Sequence, residues 1–273
     1  MADSEVAVGN GTQQSDQKRV ELREFWEAYS GDTSHTAMML NADAEQITEH
    51  DCRDIVTALP PLEGRRVLEL GAGIGRFTSE LTKLGAASIH ATDFIESFVE
   101  KNRQTHSDHD HVTHQVTDAV HAHYDDNSFD LVFTNWLLMY LTADETVDLL
   151  KRSLLWLSEG GYVHVRESCS MSSTGGQPQN KSCASENPTF YRHCSVYLRL
   201  FEEIRHVSSD GFVSGFEVLW AKSVPTYIHY YKNWQQVHFL LRKYTRFEDA
   251  TPLLSEAQLC HNVEEGWDKH QDM

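Results

Sequence analysis

Residues 67–77 read VLELGAGIGRF, an apolar run broken by one acid and followed by glycines at 71, 73 and 75. A short, nearly continuous apolar run is the mark of a strand buried on both faces, and such a strand needs helices on both sides of its sheet. Glycine after the strand permits positive φ and leaves main chain bare for a ligand. The helix that follows aims its free N–H groups at the same place. RRVLEL, SIHATDF, VTHQVTD, FDLVFTNWLLMYL and YVHVRES read as five strands, the fourth running on into a loop or short helix. Between them, GRFTSELTKLG, IESFVEKNRQ and TVDLLKRSLLWLSEGG read as helices, the last stopped by Gly160 and Gly161. This alternation predicts one α/β domain on a mostly parallel, two-sided sheet, closed by antiparallel strands at FEVLWAKSV and QVHFLLRKY. Upstream, VELREFWEAYS (20–30) predicts a helix ended by Gly31, and DAEQITEHDCRDIVTALPP one closed by Pro60 and Pro61.

The chain has 273 residues, 40% of them apolar, enough for a sizeable core. No apolar run reaches the roughly 18–20 residues that would span a bilayer. The first twenty residues are polar, lack a signal-peptide core and predict a mobile tail, so the expected compartment is the cytoplasm. Five cysteines, an odd number without CxxC spacing, predict reduced thiols. A net charge of −18 disfavours nucleic acid, whose binding depends on clustered cations. Residues 169–187, CSMSSTGGQPQNKSCASEN, predict a flexible surface loop. The histidines in HSDHDHVTH (106–114) and HAH (121–123) invite a metal reading. They sit between a predicted helix and a predicted strand, where solvated loop is expected and no metal site.

Two cofactors fit the glycine turn, a dinucleotide or S-adenosylmethionine. The dinucleotide fingerprint GxGxxG requires glycine where this chain has Arg76. Glu69, two residues before Gly71, suits the sulfonium cofactor, whose amino-acid end needs acceptors nearby. Asp93 lies at the end of the second predicted strand, where a carboxylate can accept both ribose hydroxyls. Asp118 ends the third, where an acceptor could take the adenine amino group. Either acid alone could be an ordinary turn or capping residue.

With VLELGAGIGRF, TDFIES, FDLVFTNWLLMYL, GGYVHVRES, NPTFYR and FWEAYSGDTSHTAMML together, the chain resembles the first methyltransferase domain of phosphoethanolamine N-methyltransferases of plant and nematode type, from about Glu21 to about Tyr244. The resemblance implies a Rossmann-like class I methyltransferase fold with a seven-stranded sheet. It also implies methyl transfer from S-adenosylmethionine to the amine of phosphoethanolamine, on the route to phosphocholine. It assigns Gly71, Gly73, Arg76, Asp93, Phe94, Asp118, Ala119 and Asn135 to the cofactor, and Ser168, Tyr191 and Arg192 to the phosphobase. Lys181, in the polar loop, is a further phosphate candidate. Plant members carry two such domains, and this chain stops near where a second would begin, as a truncated or alternative form would. The expected organisation is a disordered tail at 1–18, a methyltransferase domain at 19–245 with an N-terminal cap over about 19–50, and an extension of unassigned structure at 246–273. A monomer is expected.

Methyl transfer to a protonated amine needs a proton acceptor near the nitrogen. Tyr140, after the fourth strand, is the leading candidate, with Tyr29 or His35 of the N-terminal segment assisting. Trp136 would pack beside the pocket. Arg166 would serve phosphate binding or form an ion pair with Glu167. Another small amine, a later phosphobase, or a non-catalytic cofactor-binding domain are the competing readings.

Overall fold

The computed structural model describes residues 6–174, 187–247 and 253–266. Its centre is β1 (Arg66–Leu70), and the alternation of side chains along this strand divides the core in two. Leu68 and Leu70 face one side with Val132; Val67 faces the other with Ile89, Leu131 and Phe133. Both sides are buried, which is why the strand reads as an apolar run broken only by Glu69.

Around β1 lie β2 (Ser88–Asp93), β3 (Val112–Val116), β4 (Phe129–Asn135) and β5 (Leu157–Ser168), all parallel to it. Beyond β5 come β6 (Arg205–Val207), β7 (Phe212–Ser223) and β8 (Gln236–Phe247). The sheet order is β3-β2-β1-β4-β5-β8-β7-β6, with every pairing from β5 outward antiparallel. Eight strands replace the expected seven. The additional one, β6, has three residues, too few to show alternation in sequence.

One face carries α2 (His35–Met39), α3 (Ala44–Val56), α4 (Thr78–Lys83) and α8 (Pro225–Tyr231), with Ile47, Ile55, Leu81 and Tyr227 in its core. The other carries α6 (Ala143–Trp156) and α7 (Cys194–Glu203). Helix α5 (Glu96–Thr105) lies against β2 and β3. A reciprocal Thr142–Glu145 capping box starts α6. The helix gives way directly to β5 at Leu157, three residues before the glycines expected to stop it, because Leu157 is already fully buried in the sheet.

The N-terminal end departs from expectation. Helix α1 (Val6–Glu27) takes in most of the segment read as an unstructured tail, and it buries Leu22 and Phe25. Within the C-terminal extension, α9 (Glu256–Glu264) docks against α6 and α7 through Leu259, Cys260 and Val263. The loop predicted at 169–187 begins inside the protein, with Cys169 and Ser173 buried; residues 175–186 lie outside the described residues. The four described cysteines, Cys52, Cys169, Cys194 and Cys260, are free thiols. No helix among the described residues is long and apolar enough to cross a membrane.

Candidate active site

The parallel strands end along one edge of the sheet, and each brings a different group there. β1 delivers Gly71 and Gly73, β2 Asp93, β4 Asn135 and β5 Ser168. After β3, Asp118 caps a single 3-10 turn that starts at Ala119. A cleft along this edge is lined by Gly71, Gly73, Arg76, Asp93, Phe94 and Asn135, and further along by Tyr140, Ser168 and Tyr191. Asp118 and Ala119 line a smaller recess that shares Gly71, Asp93 and Phe94 with it.

The three glycines serve two purposes. Gly73 has φ +55°, and a Cβ there would meet only the Met38 sulfur, at 3.5 Å, so its bare side opens toward the cleft. Gly75 has φ +94°, and a Cβ there would stand 2.5 Å from Asn102 Oδ1 of α5. It is bare so that α5 can pack. Asn102 is buried, donates to Thr78 Oγ1 at 3.0 Å, and has the rings of His106 and His114 at its own oxygen. His106 is therefore part of the packing behind the turn and not solvated loop.

Two carboxyls stand at the cleft. The Gly73 and Ile95 N–H groups donate to Asp93 at 2.9 and 3.0 Å, tying the glycine turn to the end of β2. Burial pushes its pKa up to about 6 against those hydrogen bonds. Glu69 accepts from Thr78 Oγ1 at 2.6 Å, and burial pushes it up to about 8 while Thr78 and Arg76 pull the other way. Asp118 accepts from the Val120 N–H at 3.2 Å and forms an ion pair with Arg19 of α1. Arg152 of α6 holds the same turn by donating to the carbonyls of Ala119, Val120 and Ala122.

Arg76 reaches the cleft wall from behind. It donates to Asp51 Oδ2 at 2.6 Å and lies 4.4 Å over the Phe77 ring. Burial works most strongly against its charge, but Asp51 together with Cys52 and Tyr227 holds the guanidinium pKa above its ordinary value. Arg166, fully buried, lies 3.5 Å from the other Asp51 oxygen and 3.4 Å over the Trp136 ring. Of the two roles open to Arg166, the ion pair with Glu167 gives way, because Glu167 accepts instead from the N–H groups of Leu137, Leu138 and Met139. Two arginines thus share one aspartate under the cleft floor. Asp51 reads in sequence as an ordinary polar position of an amphipathic helix.

Several expected site residues lie elsewhere. Arg192 donates to the carbonyls of Leu138 and Leu141 at 2.9 and 2.7 Å; it is buried and braces the segment after β4. His35 faces Glu45 at 3.4 Å in a separate surface cleft. Tyr29 does not line the cleft; it packs on Phe25 and Trp26, with ring centroids 5.3 and 5.9 Å away. Trp26 is the aromatic residue of α1 that reaches the cleft, edge-on to Tyr140 at 5.6 Å. Lys181 lies outside the described residues. Burial drives the Tyr140 phenol far above its ordinary pKa, so it stays neutral. Sequence reasoning missed Ser172, Ser173 and Asn187, which line the cleft beside Ser168 and Tyr191.

A methyltransferase-domain family model matches residues 67–161, which hold the glycine turn, both strand-end aspartates and Asn135. Phosphoethanolamine N-methyltransferase 1 of Caenorhabditis elegans is 40% identical over 93% of this chain and 54% of its own length. Phosphoethanolamine N-methyltransferase of Triticum aestivum is 36% identical over 91% of this chain and 48% of its own. The structure of the Haemonchus contortus phosphoethanolamine N-methyltransferase 1, in complex with phosphoethanolamine and S-adenosylhomocysteine, superposes with a TM-score of 0.88 at 41% identity. That match covers 93% of this chain and 54% of the other. The chain spans about half the length of the curated relatives it matches. Over that half it is a homologue of the phosphoethanolamine N-methyltransferases, built on the fold of the S-adenosylmethionine-dependent methyltransferases.

Proposed function

We propose that this chain transfers a methyl group from S-adenosylmethionine to the amino nitrogen of phosphoethanolamine, as the first step toward phosphocholine, and that it corresponds to the first methyltransferase domain of its longer relatives. The observation that carries this reading is the two-ended chemistry of one cleft. At one end a bare glycine turn after β1 stands beside the carboxylate at the end of β2, with Asp118 beyond it after β3; at the other, Ser172, Ser173, Asn187 and Tyr191 gather neutral polar groups around Ser168.

The residues present fit the cofactor. Gly73 would leave room for it and Gly71 would line its site, Asp93 would accept the ribose hydroxyls, and Asp118 with Ala119 would receive the adenine. Arg76 and Asn135 would serve its amino-acid end, and Phe94 would pack beside the ribose. When bound, the cofactor supplies a methyl carbon already activated by a sulfonium. The protein's task is then alignment. Ser168 and Tyr191 hold the phosphate, helped by Ser172, Ser173 and the surplus positive charge beneath the floor, where Arg76 and Arg166 oppose the single carboxylate of Asp51. This pair supplies the positive charge that Arg192, turned to the carbonyls of Leu138 and Leu141, does not. The neutral Tyr140 phenol accepts a hydrogen bond from the amine and orients it. The phenol oxygen cannot keep the proton at neutral pH, so the proton leaves to water.

The test is methyl transfer by the purified chain from labelled S-adenosylmethionine to ethanolamine, phosphoethanolamine and its mono- and dimethylated forms. Phosphoethanolamine should be turned over and ethanolamine should be a poor substrate, since binding energy from the phosphate positions the reacting nitrogen. Equal kcat/KM for the two would refute phosphate recognition. Cofactor binding without transfer to any of them would indicate a non-catalytic domain.

A further inference from the structure

Trp136 is held in an unusual way. It directly follows β4 and lines the cleft, yet its φ is +56°, in the left-handed region that costs a bulky side chain free energy. Such a backbone persists only where its surroundings over-determine it. Here the Trp136 N–H donates to the Arg166 carbonyl at 2.7 Å, and Arg166 stacks on the indole from behind. The indole N–H donates to Gln236 Oε1 at 3.0 Å.

The same oxygen takes a second donor. Ser168 Oγ, at the end of β5, donates to Gln236 Oε1 at 3.1 Å. Gln236 is the first residue of β8 and sits opposite Ser168 in the antiparallel register. Its side chain is fully buried, its Nε2 has no hydrogen-bond partner among the described residues, and it does not line the cleft. A buried amide with an unpartnered N–H₂ is costly, so its retention points to the carbonyl end. One acceptor joins the walls supplied by two different strands.

We infer that Gln236 is a positioning residue for the substrate: its side-chain carbonyl sets the Trp136 ring and the Ser168 hydroxyl relative to each other, and so shapes the phosphobase end of the cleft. This rests on the function proposed above for its kinetic consequence, but not for its structural one. Ser168 donates to Gln236 Oε1, so it reaches the phosphate as a donor only when its hydroxyl rotates. Tyr191 and the neighbouring serines then supply the donors. Without the Gln236 acceptor, the indole N–H loses its hydrogen bond and Ser168 is free to rotate.

Three variants test this. Gln236→Met removes the acceptor at nearly constant volume, Gln236→Glu keeps an acceptor at the same atom, and Trp136→Phe assigns the indole N–H resonance. In Gln236→Met the Trp136 indole N–H should shift upfield as its hydrogen bond is lost. KM for phosphoethanolamine should rise roughly ten-fold or more, as the loss of one or two hydrogen bonds implies. S-adenosylhomocysteine affinity by calorimetry should stay within about two-fold, because the glycine turn, Asp93 and Asp118 are untouched. Gln236→Glu should restore both the resonance and KM. An unshifted resonance with normal KM in Gln236→Met, or equal damage in both variants, would overturn the assignment. If the wild-type protein does not methylate phosphoethanolamine, the proposed substrate is wrong, and the resonance and its rescue still decide whether Gln236 sets the indole.

Discussion

Replacing Asp51 with asparagine removes the one carboxylate that Arg76 and Arg166 share beneath the cleft. Asp51 is fully buried, 2.6 Å from Arg76 and 3.5 Å from Arg166, which is itself fully buried. Each pair at such separations is worth on the order of 4 kcal/mol at an effective dielectric of about 20. Much of that attraction is offset by desolvation of the three charges. Removing the carboxylate leaves the desolvation of both guanidinium groups uncompensated, and breaking a buried pair this way costs about 3–5 kcal/mol. For a domain of this size that corresponds to a fall in Tm of roughly 6–20 °C. Urea denaturation followed by tryptophan fluorescence would measure the loss at constant m-value. Inorganic phosphate should recover part of it, since an anion entering the cleft approaches the unbalanced pair. A loss below about 1 kcal/mol would show that the arginines are solvated or paired in some other way, and would remove the electrostatic basis for a positively charged floor.

Asp93→Ala should weaken S-adenosylhomocysteine by about 1–3 kcal/mol, the range for lost hydrogen bonds to a charged acceptor; calorimetry giving wild-type affinity would take Asp93 out of the site. Tyr140→Phe should lower kcat about ten- to hundred-fold with cofactor affinity intact, as for one hydrogen bond to an ammonium. Because the phenol does not titrate near neutrality, the variant's pH–rate profile should keep the wild-type shape, and a missing limb would return Tyr140 to the role of base. Glu69 has its folded pKa raised from 4.5 to about 8, so the folded state retains a proton there that the unfolded chain has lost. The stabilisation is complete below pH 4.5 and fades as pH rises through 8. Glu69→Gln cannot ionise and should flatten the decline of stability across that window; an unchanged slope would mean that Glu69 is not the group responsible.

The chain's local chemistry determined the β/α alternation, the glycine turn and the strand-end acids, because each is encoded within a few consecutive residues. β1 had to be buried on both faces, since no residue from Val67 to Leu70 offers a solvent side except Glu69, and that one finds Thr78. Asp93 and Asp118 could be placed at one sheet edge because parallel strands all end on the same side. Side-chain partners across the sheet were not legible. Arg192 and Arg166 look alike in sequence as cations beside the predicted phosphobase residues, yet one braces two carbonyls and the other shares Asp51, which lies more than a hundred positions away. Nor could sequence separate Gly75 from Gly73, since the difference is the approach of Asn102 from another helix. Whether a residue meets ligand or protein depends on what the chain brings back from elsewhere, and only the tertiary structure decides that.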